Sequence, residues 1–174
     1  MHVRLIDLLR EDIAANRGQS KGALIVVAYR LARAARGDGS RPRMWSYPVG
    51  FVYRILIEWV LGVEIPWGTR IGRRLRVFHG VGIVLNDHAV LGDDVTLRQS
   101  VTIGNKRDGG ACPRIGDRVQ VGAGCIVIGD IEIGDGARLG AGSVVTRSVA
   151  AETTVVGNPA RPVRSPLSAG RESS

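Results

Sequence analysis

The chain has 174 residues, enough for one domain with or without a helical appendage. Its 24 glycines against 5% aromatic residues exclude a core packed around rings and point to a narrow interior of small and branched aliphatics. The net charge of +8 rests on Arg (Lys21 and Lys106 are the only lysines) and suits either an anionic partner or a solvated Arg-rich surface; with no stacking aromatics among the basic residues, nucleic acid is not expected as the partner.

The first 62 residues read as helical. Val3–Asn16 places Val3, Leu5, Ile6, Leu8, Leu9 and Ile13 at helical spacing, and Gly18 follows as a stop. A second helix is predicted over Gly22–Arg36, broken by Gly37-Asp38-Gly39. A third runs over Pro48–Gly62, with Pro opening and Gly closing it. The second and third are apolar on most sides, which suits packing against neighbouring elements or subunits, or contact with a membrane surface. The N-terminus carries acidic residues and lacks an unbroken apolar run, so neither a signal peptide nor a spanning helix is expected. Cys112 and Cys125 form no CxxC pair and meet no paired His ligands, so no metal and no disulfide framework are expected, in keeping with a cytoplasmic setting or the inner face of a membrane.

From Glu64 onward, aliphatic residues recur every six positions: Ile65, Ile71, Val77, Ile83; then Leu91, Leu97, Ile103; then Ile115, Val121, Val127, Ile133, Leu139, Val145. Four residues after many of these stand small or branched side chains, including Val81, Val95, Val101, Val119, Cys125 and Ser143. A period of six fits neither a helix nor a lone strand, but it fits short strands joined by tight turns around a shared interior. Gly follows the aliphatic at 72, 92, 104, 116, 122, 134 and 140, where a turn needs unusual backbone angles or close approach. The period breaks twice. Two extra residues fall between Ile83 and Leu91, and Gly104–Arg114 (GNKRDGGACPR) replaces a clean repeat and reads as a bulging loop.

This pattern, clear in Leu139-Gly-Ala-Gly-Ser-Val144, resembles the hexapeptide-repeat acyltransferases over residues 64–163. The resemblance implies a left-handed parallel β-helix with an N-terminal α-helical segment: helices over 1–62, the β-helix over 63–163, and a flexible tail over 164–174. It further implies acetyl-CoA as cosubstrate and a homotrimer with active sites between subunits.

Of the histidines, His79 lies in Arg76-Val-Phe-His-Gly-Val-Gly-Ile83, two residues after the inward Val77, so the period points it outward. The segment Glu64–Val84 resembles that of serine acetyltransferases, in which His79 falls on the catalytic histidine and Glu64 on its partner carboxylate. A hydroxyl needs a base to become a nucleophile, imidazole titrates near neutral pH, and a carboxylate fixes its tautomer. The resemblance implies direct transfer; a covalent role for Cys112 is the competing reading. It also sets Phe78, Asp87 and Cys112 at the acceptor. There, Phe78 and the triplet Ala111-Cys112-Pro113 replace charged groups that would hold an amino acid, because such side chains form no ion pairs.

Ala28-Tyr-Arg30, Ile71-Gly-Arg-Arg74, Thr102-Ile-Gly-Asn105 and Ala111-Cys-Pro113 resemble the colanic-acid-type exopolysaccharide acetyltransferases instead. That implies a sugar or lipid-linked saccharide as acceptor, with serine as the alternative. A non-catalytic or metal-type repeat scaffold is disfavoured, since His79 and His88 are the only histidines in the repeats. By the same route Gly104, Ala123, Ala141 and Gly142 would face the pantetheine arm, and Arg161, in Gly157-Asn-Pro-Ala-Arg161, the phosphates of CoA.

Overall fold

The computed structural model describes residues 4–37, 39 and 41–163; the expected tail at 164–174, and Val3 of the first helix, lie outside the described residues. Beyond residue 69 the chain forms a parallel β-solenoid of about four turns. Two- and three-residue strands stack into sheets on three sides. Within each strand one side chain points out and the next points in, so each sheet contributes one inward column. The first sheet stacks Ile71, Leu91, Ile115 and Ile133. The second stacks Val77, Leu97, Val121, Leu139 and Val155. The third stacks Leu85, Ile103, Val127 and Val145. All but Ile71, on the first coil, are buried. Each such aliphatic contributes about 1.5–3 kcal/mol of burial before the cost of chain ordering.

The register moves one expected feature. Leu85, not Ile83, pairs with Ile103, and the N–H of Val84 bonds to the carbonyl of Val101, which puts Ile83 beside the small position. The two extra residues therefore sit between Val77 and Leu85, around His79, and not between Ile83 and Leu91. Counting in sixes missed this because positions 83 and 85 are both aliphatic and both buried. Val81, grouped with the small repeat positions, is 53% exposed for the same reason.

The turns also separate two uses of glycine. Left-handed angles fall at Gly82, Ser100, Gly124 and Gly142 in the corner between the second and third sheets. The glycines that follow the aliphatics keep ordinary angles, and close approach is what requires all of them except Gly104. A Cβ on Gly92 would stand 2.3 Å from Asp117 Oδ1, because that carboxylate accepts from the Asp93 N–H of the coil above at 2.7 Å.

Three helices, α1 (Leu5–Ala15), α2 (Ser20–Arg36) and α3 (Tyr47–Arg54), cover the open end of the first coil. The third was expected to run unbroken to Gly62; its last part, Ile55–Val60, widens into a π-helical turn. This keeps Ile57 buried while the chain swings into the solenoid, where the Val63 N–H bonds the Ile57 carbonyl at 3.0 Å. A buried polar network seals the first coil's unpaired edge. Asn16 accepts from the Val77 N–H at 2.9 Å and donates to the Leu75 carbonyl at 2.7 Å, as a further strand would. Arg30 pairs with Asp12 at 2.7 Å and donates to the carbonyls of Ile71 and Gly72. Tyr29 and Tyr53 donate to the carbonyls of Thr69 and Ile65, each at 2.6 Å. Desolvation pushes the Tyr29 phenol up to about 12, so it remains a donor.

Candidate active site

The expected site residues separate onto two corners of the triangular coil. The first lies between the second and third sheets and carries His79, Ala123, Ala141 and Gly142. It is continuous along the solenoid: the Gly82, Ser100, Gly124 and Gly142 backbones stack there, with Gly124 N–H donating to Gln99 O and Gly142 N–H to Ala123 O. Nothing lies within 4 Å of a Cβ built on Gly142, so this line of small residues is open at Gly142.

His79 is exposed at the first-coil end of that corner, with φ of +66 in the two-residue insertion. A left-handed histidine costs about 1 kcal/mol, and such strain gathers where a side chain must be aimed. Glu64 is exposed on the neighbouring strand, bridged to Val84, and the Gly62 carbonyl two residues before it accepts from Gly82. The two candidates thus share the first coil and one corner, although no hydrogen bond or ion pair joins them among the described residues. Phe78 carries the guanidinium of Arg98 over its ring, 4.9 Å from the centroid. Arg98 was not singled out from the sequence. It could have been: Val77 pairs with Leu97, so the residue following each is stacked one coil apart.

The second corner lies between the third and first sheets and carries Asp87, Gly104 and Cys112. His88, Gly109, Cys112, Arg70, Arg114 and Asp130 line one cleft there. Asp87 and His88 face Arg33, Arg36 and Arg70 in an adjoining one. Gly104 is not demanded by packing, because a Cβ there would meet only Asn86 Cβ at 3.7 Å. Cys112 is buried, and burial, followed by the charge of Asp87, raises its thiol above the ordinary value. A protonated thiol is a poor nucleophile. Arg161 lies apart from both corners, in the strand that folds back on Thr154–Val156, where it lines a cleft with Arg147, Thr146, Ser148 and Thr153. Arg147 is a second cation that sequence reasoning missed. No cluster of His, Cys, Asp or Glu able to hold a metal exists among the described residues.

Comparison with known proteins adds what geometry alone does not give. The family model described as bacterial transferase hexapeptide (six repeats) matches residues 112–147. The protein named colanic acid biosynthesis acetyltransferase WcaB, from Escherichia coli strain K12, is 42% identical over 155 residues, covering 87% of this chain and 96% of that one. The chain belongs to the hexapeptide-repeat acetyltransferases. Among solved structures, soybean serine acetyltransferase complexed with serine superposes with a TM-score of 0.78 at 34% identity, covering 91% of this chain and 69% of that one. Serine acetyltransferase from Brucella abortus in complex with coenzyme A gives 0.78 at 28% identity, covering 91% and 67%. This hexapeptide-repeat acetyltransferase therefore aligns almost end to end with WcaB and with about two thirds of each serine acetyltransferase.

Proposed function

We propose that the chain transfers acetyl from acetyl-CoA to a hydroxyl of a saccharide, free or lipid-linked, in exopolysaccharide synthesis. The near end-to-end match to WcaB carries the reading. Phe78 and Cys112, at the positions expected to meet the acceptor, add to it because neither supplies a charge for an amino acid's ammonium or carboxylate.

In this mechanism His79 takes the proton of the acceptor hydroxyl as the oxygen attacks the thioester carbonyl. Glu64 orients the ring and stabilises the imidazolium. Collapse of the tetrahedral intermediate expels the CoA sulfur, which recovers the proton from His79, so no acyl-enzyme forms. The line of small residues Ala123, Ala141 and Gly142 suits the pantetheine arm, and Arg161, with Arg147, suits phosphates. Asp87, Gly104 and Cys112 stand on the other corner. A homotrimer of parallel solenoids unites the two corners at each subunit boundary, and this is why we assign the assembly.

The test is acetyl-CoA turnover with sugar nucleotides, lipid-linked sugars and serine as acceptors. An acetyl ester on a saccharide is expected, with serine poor. Serine turnover with kcat/KM of about 10⁴ M⁻¹s⁻¹ or more would transfer the assignment to serine acetyltransferase.

A further inference from the structure

The solenoid leaves little apolar surface in water, but its helical cap does the opposite. Between Met44 and Val60 the buried residues Ser46, Gly50, Tyr53 and Ile57 form one face, turned to the first coil. The opposite face holds Phe51, Ile55 and Trp59 in one row and Val52, Leu56 and Val60 in the next. Trp59 is 81% exposed and Met44 88%, with Trp45 and Phe51 also well over half exposed. Isolated exposed apolar residues are ordinary, but a contiguous aromatic patch marks a surface built for a partner.

Charge selects the partner. Arg41 and Arg43 precede Met44 and are exposed, and Arg54 projects from the patch at 67% exposure. The one acidic residue between Met44 and Val60, Glu58, is largely covered and paired with Arg54 at 3.2 Å. Through Gly62 the sequence holds ten basic and five acidic residues. Two such faces pressed together would oppose arginine to arginine, which disfavours a second copy. Tryptophans at both ends of an apolar face with an arginine rim match the boundary of an anionic bilayer, where indole rings and guanidinium groups find their preferred depths.

We propose that the outer face of residues 44–60 docks the enzyme on an anionic phospholipid surface. The helix is too short to span, and no helix among the described residues is long and apolar enough to cross a membrane. The docked face leads through Gly62, whose carbonyl accepts from Gly82, into the coil that carries Glu64 and His79. Docking therefore sets the coil of His79 toward the lipid surface and favours a saccharide acceptor carried on a lipid. That last step rests on the proposed acceptor class; the docking itself does not.

The experiment sediments the full chain with phosphatidylglycerol vesicles and with phosphatidylcholine vesicles at low salt, following tryptophan emission and, without lipid, the light-scattering mass. Binding about 10-fold or more tighter to phosphatidylglycerol is expected, with a blue shift from Trp45 and Trp59. Phe51→Glu/Trp59→Glu should weaken it about 10-fold or more at unchanged mass and melting temperature, and Arg41→Gln/Arg43→Gln should remove the lipid preference. Failure to bind either vesicle would overturn the proposal, as would equal binding to both that the variants leave intact. A smaller mass for the Phe51→Glu/Trp59→Glu variant would overturn it too, by assigning the face to a neighbouring subunit. None of these outcomes depends on acetyl transfer.

Discussion

At the residue scale, the reading turns on which side chains are free to react. Cys112 has the right element for a covalent intermediate and the wrong environment, because burial and Asp87 both hold its proton in place. Cys112→Ser should leave turnover within several-fold, and mass spectrometry without acceptor should find no acetylated chain; an acetyl thioester on Cys112 would contradict direct transfer. In the proposed mechanism Glu64 orients the base and takes no proton from the substrate. Glu64→Gln should therefore lower kcat by about 10-fold, less than the loss on removing a base, with KM for acetyl-CoA unchanged. Asp94 illustrates charge in a structural role. Hydrogen bonds from Arg74 hold its carboxyl below the usual range. The folded pKa is the lower one, so this contribution is complete above the unfolded value of about 3.9 and fades as pH falls through the folded value. Arg74→Gln should melt below the wild type at neutral pH, and the gap should narrow in acid. A gap that stays constant on acidification would deny the linkage.

At the element scale, the solenoid was legible because its period is a backbone property: a two-residue strand and a tight turn return every sixth side chain to the interior. Counting could not resolve a two-residue insertion flanked by interchangeable aliphatics, so it was misplaced past Ile83 although it surrounds His79. The split of the candidate site between corners was equally hidden, since sequence distance says nothing about which corner a turn occupies until the coils are in register. Ala28-Tyr-Arg30 read as a family mark; its physical content is the seal on the first coil. That seal makes a strong prediction. Asp12→Ala leaves the Arg30 charge buried without its partner and the Leu75 N–H without an acceptor. Chemical denaturation at fixed protein concentration should report a loss of about 3–5 kcal/mol. A loss below about 1 kcal/mol, the size of an exposed pair, would mean that the network is not what holds the helices to the solenoid.

At the scale of the whole molecule, the candidate residues lie on two corners of each solenoid, and the proposed trimer is what would bring a corner of one chain against that of the next. Light scattering should give about three times the 18.6 kDa chain mass. The central claim, that His79 is the base of an acetyl transfer from CoA, is tested most directly by one comparison. CoA thiol release with a saccharide acceptor is measured for the wild type and His79→Ala, alongside acetyl-CoA affinity and trimer mass for both. The account predicts a fall in kcat of about 10²-fold or more with affinity and mass unchanged. A variant that turns over within several-fold of the wild type would contradict it.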